Sequence, residues 1–165
     1  MAAYFRGVTE NLIQFVQTSS ATAKPFNFGQ ADLRGLEVEA SGRAGPLLVT
    51  AAYTWTRAVN ATPGATYGLL IPSRPVHALR TRATLSRGPL HVYHELLHIS
   101  GNPIDTLNQF KLGARNIHAI GAIVDQKDRV RFSIEIKNLS NNQVADLYGV
   151  PLPGLTLAMR LSALF

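Results

Sequence analysis

Apolar and polar residues alternate with a period of two along most of this chain. Over residues 155–165, Leu155, Leu157, Met159, Leu161, Ala163 and Phe165 fall on one face, and Thr156, Ala158, Arg160 and Ser162 on the other; Leu164 alone breaks the polar set. Val130, Phe132, Ile134 and Ile136 oppose Arg129, Arg131, Ser133, Glu135 and Lys137 in the same way. So do Leu36, Val38 and Ala40 against Gly35, Glu37 and Glu39, and Leu79, Ala83 and Leu85 against Arg80, Arg82 and Thr84. Successive side chains of a strand point to opposite sides, so each such segment reads as a strand with one oily and one polar face. Eight are predicted, over roughly 3–17, 28–41, 47–59, 76–86, 90–99, 114–124, 129–138 and 155–165. Most run for roughly 10 to 14 residues, longer than the ~5–6 of soluble strands and suited to a strand that crosses a bilayer at a tilt.

The connections add a direction. They alternate in length: 18–27 is long and 42–46 short, 60–75 long and 87–89 short, 100–113 long and 125–128 short, and 139–154 long again. Short turns at one end and long loops at the other are the plan of an outer-membrane barrel, whose oily face meets lipid and whose polar face lines the lumen. A soluble sandwich has no reason to alternate in this way. The expected fold is therefore all-β, an antiparallel up-and-down transmembrane β-barrel of about eight strands, either part of a barrel or a small closed one. Closure would let Glu37, Glu39, Arg80, Arg82, Arg131, Glu135 and Arg160 pair inside. With the C-terminus in the periplasm every long connection lies outside. Tyr53, Trp55 and Tyr93 are then candidates for the interfacial girdles, and the terminal Phe165 for the periplasmic one.

Composition narrows the alternatives. The 165 residues are those of one ordinary domain or of part of a larger one. Charged residues make up 16% of the chain, below the usual ~25%. No apolar run approaches the ~20 residues of a membrane helix, which leaves strands as the means of crossing. The absence of cysteine excludes disulfides and thiolate metal sites. The net charge of +6 comes from scattered bases at polar strand positions, such as Arg80, Arg82, Arg129, Arg131, Lys137 and Arg160, and no basic run marks a nucleic-acid partner. Met1 to Arg6 lead into a mixed segment without the apolar stretch of a signal peptide, so the chain is expected to be cytosolic or to have its true start upstream.

One motif points to different chemistry. His94-Glu95-Leu96-Leu97-His98 matches H-E-x-x-H, and with Gly101 and Asp105 it resembles a metzincin-type zinc site. On a helix, His94 and His98 would share a face and bind the metal, Glu95 would act as general base on its water, and Asp105 would add a third ligand. This defines the alternative of a small zinc endopeptidase. On a strand the two histidines would stand ~13 Å apart and Glu95 would face away from both. The segment lies between Gly88-Pro89 and Gly101-Asn102-Pro103 and its neighbours read as strands, which favours the strand. His77 and His118 read as ordinary loop or strand residues. Asn60-Ala61-Thr62 and Asn138-Leu139-Ser140 fit the short glycosylation pattern.

Several stretches, taken in order, resemble the C-terminal barrel part of TonB-dependent outer-membrane receptors. They are Tyr4-Phe5 followed by Asn11-Leu12-Ile13, Leu33-Arg34-Gly35-Leu36-Glu37-Val38-Glu39-Ala40, Ala52-Tyr53-Thr54-Trp55-Thr56-Arg57-Ala58, and Ile71-Pro72-Ser73-Arg74-Pro75-Val76-His77. Gly101-Asn102-Pro103-Ile104-Asp105-Thr106-Leu107-Asn108, Ile136-Lys137-Asn138-Leu139, and 148–154 with the strand to Phe165 complete the series. The resemblance covers nearly the whole chain. It implies a Gram-negative outer-membrane location and a role in TonB-dependent uptake of a scarce nutrient such as a metal chelate, siderophore or cobalamin. It implies no enzyme activity and no cofactor. The implied partners are outer-membrane lipid, the barrel-assembly machinery, for which Phe165 would be the signal, and a small-molecule ligand in the full-length receptor. Such receptors contact TonB through an N-terminal plug. The signal peptide, the TonB-contacting motif and the plug are not recognised in residues 1–165, and the expectation is the last third of a receptor.

Overall fold

The computed structural model describes residues 1–19, 22–126, 129–147 and 150–163. Among these the chain contains no helix. Eight strands form one antiparallel sheet in the order β1 (Ala2–Glu10), β4 (Gln30–Ala44), β5 (Leu47–Asn60), β6 (His77–Arg87), β7 (Leu90–Ile99), β10 (Arg115–Gln126), β11 (Val130–Lys137) and β14 (Thr156–Ala163). Three two-stranded ribbons decorate the long connections: β2 (Ile13–Ser19) with β3 (Thr22–Asn27), β8 (Asn102–Pro103) with β9 (Lys111–Leu112), and β12 (Ala145–Leu147) with β13 (Val150–Pro151).

The register aligns the alternation across the sheet. One row of paired residues runs Ala44, Leu47, Leu85, Val92, Ala122, Ile134, Met159. Every member is apolar, and so a single oily face extends over seven strands. Among the described residues nothing covers it: Leu157, Met159 and Leu161 are 53%, 62% and 70% exposed. The opposite face carries Glu37, Glu39, Arg80, Arg82, Glu95, Glu135 and Arg160 by the same alternation.

The short turns give the inclination of the strands. The first turn closes on Ala44 and Leu47, the next on Arg87 and Leu90, and the third on the pair Gln126 and Val130. Leu47 pairs with Leu85, and Leu90 with Val124, so each turn lies two residues beyond the one before. Two residues at ~3.4 Å against two strands at ~4.8 Å correspond to a slope of about 35°, the inclination of strands in outer-membrane barrels. In the first two turns Gly45 and Gly88 take φ of 55° and 56° at the first central position of a two-residue loop, where a side chain would be strained, and a proline follows each.

Two expectations are corrected. The segment over 3–17 is two strands, because Asn11 turns left-handed (φ 53°) and Leu12 leads away from the sheet. The departing segment returns as β3, and the β2–β3 hairpin replaces the loop expected over 18–27. Nor do the eight strands close among the described residues: β1 and β14 pair only with β4 and β11 and end the sheet on either side. The architecture is a partial barrel. Phe165 lies outside the described residues.

Candidate functional site

The polar face carries a chain of interacting charges. Arg82 and Glu95 oppose each other on β6 and β7, and the Arg82 Nη1 donates to Glu95 Oε1 at 2.7 Å. The same guanidinium lies 3.8 Å from the centroid of the Tyr93 ring. On β11, Glu135 meets Lys137 Nζ at 3.2 Å. Tyr93 crosses the sheet over Gly121, its register partner; a Cβ there would lie 2.4 Å from the ring's Cζ. Glycine is thus required for the ring to lie over β10. Tyr93 therefore belongs to the polar face and is buried, contrary to its expected place in a girdle. Tyr53 and Trp55 do lie on the apolar face.

Nearer the short turns a second cluster joins Ser86, His91, Asp125 and Arg131. Ser86 Oγ lies 2.8 Å from His91 Nδ1, and His91 Nε2 lies 3.9 Å from Asp125 Oδ2. The residue types are those of a serine nucleophile relay, but the geometry is not. The His–Asp separation exceeds hydrogen-bond range, and Arg131 occupies both carboxylate oxygens, at 2.5 and 2.8 Å. A cross-strand cluster of this kind has no sequence signature, since its members come from four strands.

The long loops are knitted to one another. Asp105 accepts from the backbone amides of Leu107, Gln109 and Phe110 at 3.1, 3.2 and 2.8 Å. Asn108, left-handed at φ 58°, exchanges two bonds with Leu70: its Nδ2 donates to the carbonyl at 2.9 Å and its Oδ1 accepts from the amide at 3.0 Å. The Ser73 amide donates to the Pro103 carbonyl, and Ile71, Pro72 and Pro103 are fully buried where the two loops meet. On the other side, Gln14 Nε2 donates to the Pro72 carbonyl, tying the β2–β3 hairpin to the same assembly. Val16, Phe28, Ala31, Ala58 and Ile71 form a small core beneath it, with Leu12 and Leu33 packed against them. Further along, buried Arg115 donates to the Ala145 carbonyl at 3.1 Å. The Asp105 and Asn108 positions of the resemblance thus build loops. Replacing Asp105 with Ala is expected to cost about 2–3 kcal/mol of local stability, at ~0.5–1.5 kcal/mol for each lost bond. Hydrogen exchange at the Leu107, Gln109 and Phe110 amides would accelerate accordingly; unchanged exchange would rule out this role.

The zinc alternative is corrected by the same geometry. His94 to His98 lie on β7, so His94 and His98 share the apolar face and Glu95 points away from both, into its pair with Arg82. His94 Nε2 meets His118 Nδ1 at 3.1 Å, and His98 Nδ1 meets Asn116 Oδ1 at 2.6 Å. Asp105 spends its oxygens on its own loop. His77 Nδ1 pairs with the Tyr53 hydroxyl at 2.7 Å. The glycosylation patterns also fall on engaged amides: buried Asn60 donates to Thr66, and buried Asn138 to two carbonyls.

An inclined antiparallel sheet with one uncovered oily face, a charged opposite face and interlocked loops at one end defines a segment of receptor barrel wall. Residues 1–139 match the family described as TonB dependent receptor-like, beta-barrel, and the chain belongs to it. The family is one of receptors and transporters, not of enzymes. Among solved structures, the siderophore receptor PiuA from Acinetobacter baumannii is similar at a TM-score of 0.78 and 16% identity, over 98% of this chain and 25% of that one. The copper transporter OprC is similar at 0.78 and 16%, over 99% and 28%, and the unliganded ferric citrate transporter FecA at 0.77 and 17%, over 98% and 29%. The chain thus spans about a quarter of the length of these structures. No curated protein matches it.

Proposed function

We propose that residues 1–165 form the C-terminal part of the β-barrel of a TonB-dependent receptor in the outer membrane of a Gram-negative bacterium. The receptor imports a scarce nutrient of the metal-chelate, siderophore or cobalamin type. The observation that carries this reading is the pairing of an uncovered apolar face with a charged opposite face in a chain that matches the family over residues 1–139. In it the apolar face meets lipid, the polar face lines the lumen, and the interlocked loops face outward and contribute to ligand capture. TonB is engaged only through an N-terminal plug, which is no part of residues 1–165. Phe165 is the signal for the barrel-assembly machinery. The similarity to a siderophore receptor, a copper transporter and a ferric citrate transporter supports a small metal-bearing cargo.

The test is fractionation and uptake in the native cell. The protein is expected in the outer-membrane fraction, with a gel mobility that changes on heating. Deleting its gene is expected to abolish uptake of one labelled metal chelate or of cobalamin, with recovery on complementation. A soluble protein with unchanged mobility, or unaltered uptake of all such compounds, would overturn the proposal.

A further inference from the structure

Three arginines stand side by side on the apolar face. Arg6 pairs in register with Arg34, and Arg34 with Arg57, so that β1, β4 and β5 present one guanidinium each in a single row. Like charges directly opposite one another in a sheet repel. Among the described residues, the carboxylate that answers them is Asp32, in the next row, 3.7 Å from Arg6. Among the described residues Arg34 and Arg57 form no ion pair. Arg6 and Arg34 are exposed and Arg57 half-buried. Such a row has unmet need for anions.

Its height identifies the anion. Arg57 lies ten residues from Leu47, at the short-turn end of β5, and Arg34 ten residues from Ala44 on β4. Ten residues at ~3.4 Å, inclined by about 35°, rise about 28 Å. The apolar band of an outer-membrane barrel is ~25 Å tall, so the row stands just above its outer edge. The row immediately beneath runs Tyr4, Leu36, Trp55, His77, with two aromatics of the kind that mark the interface. Below that the same strands present Val38, Ala40, Val49 and Ala51. The sequence of levels is apolar, aromatic, cationic, as at a phosphate-bearing headgroup layer.

We infer that Arg6, Arg34 and Arg57 bind the phosphate groups of outer-leaflet lipid headgroups. The guanidinium fork suits phosphate oxygens, and the site needs no protein partner to satisfy it. This inference rests on the barrel reading, and on nothing about the receptor's cargo.

The test uses the receptor purified from outer membranes in a neutral detergent and delipidated. Native mass spectrometry follows binding of a diphosphorylated glycolipid, of its dephosphorylated form, and of inorganic phosphate. The diphosphorylated lipid is expected to bind, more weakly at high salt, and the dephosphorylated form to bind far less. In R34Q/R57Q, with Arg6 left to Asp32, affinity should fall about tenfold or more, in line with the loss of charge-assisted bonds. R34K/R57K keeps the charge and should lose less, and it keeps the comparison open if the glutamine variant misfolds. Equal binding of both lipid forms, an unaffected R34Q/R57Q, or inorganic phosphate competing at the lipid's own concentration would overturn the assignment. So would a second protein chain occupying the row. Heat-modifiable mobility, read on the same samples, separates the two failures: if it persists while lipid selectivity is absent, the barrel stands and only this inference falls.

Discussion

Replacing Gly121 with Val is expected to destabilise the barrel wall by about 3 kcal/mol, at the upper end of the ~1–3 kcal/mol usual for overpacking. The cause is local and specific. A Cβ on Gly121 would lie 2.4 Å from Tyr93 Cζ and 2.5 Å from its hydroxyl oxygen, too close for either group to stay. If the ring swings out, it abandons the Arg82 guanidinium at 3.8 Å. The midpoint of heat-induced unfolding in detergent, read from gel mobility, measures the loss. A double substitution tests the mechanism: with Tyr93 already changed to Ala, adding Val at 121 should cost much less, since nothing occupies the slot. Additive costs would show that Gly121 matters for some other reason. Gly35 faces a comparable contact with Phe5, but there the Trp55 carbonyl also lies 2.6 Å from the added atom, and removing the ring alone would not relieve it.

Replacing Asn138 with Ala is expected to release the connection between β11 and β14, at a local cost of about 3–4 kcal/mol. Asn138 is buried and left-handed, at φ 55°. Its Nδ2 donates to the Asn142 carbonyl at 2.9 Å and to the Pro153 carbonyl at 2.8 Å, and its Oδ1 accepts from the Asn142 amide at 2.8 Å. Alanine loses all three bonds and is strained at that φ. Limited proteolysis of the purified receptor between 139 and 154 should accelerate by roughly two to three orders of magnitude, since each ~1.4 kcal/mol is tenfold in the open population. Two further substitutions divide the effect. Glycine tolerates the backbone angle and loses the bonds; aspartate keeps the acceptor and loses the donors. Both should fall between wild type and alanine. Cleavage at the wild-type rate in N138A would sink the account.

These two positions show what kind of information a single chain carries. Asn138 is visible as part of a motif, yet its function as a three-bond clamp depends on Asn142 and on Pro153, which is brought back by the whole loop. Gly121 sits in an ordinary strand, and only its register opposite Tyr93 makes it indispensable. Asp105 illustrates the same point from the other side. A spacing that suggests a metal ligand is, in the fold, a carboxylate holding three amides of its own turn.

The sequence by itself determined the eight main strands, the separation of an oily from a polar face, and the alternation of short turns with long loops. All three are local properties: side chains of a strand alternate whatever the strand pairs with. The break at Asn11 escaped it, because β1 and β2 continue a similar pattern and only the left-handed turn separates them. Tertiary structure alone decided the rest. Which residues stand opposite each other depends on register between residues up to 38 positions apart, as for Leu47 and Leu85, and register is set jointly by all the strands and turns of the sheet. The Glu95–Arg82–Tyr93 group, the clasp of Asn108 on Leu70, the arginine row of β1, β4 and β5, and the open edges of the sheet all follow from that pairing, and none has a trace in local periodicity.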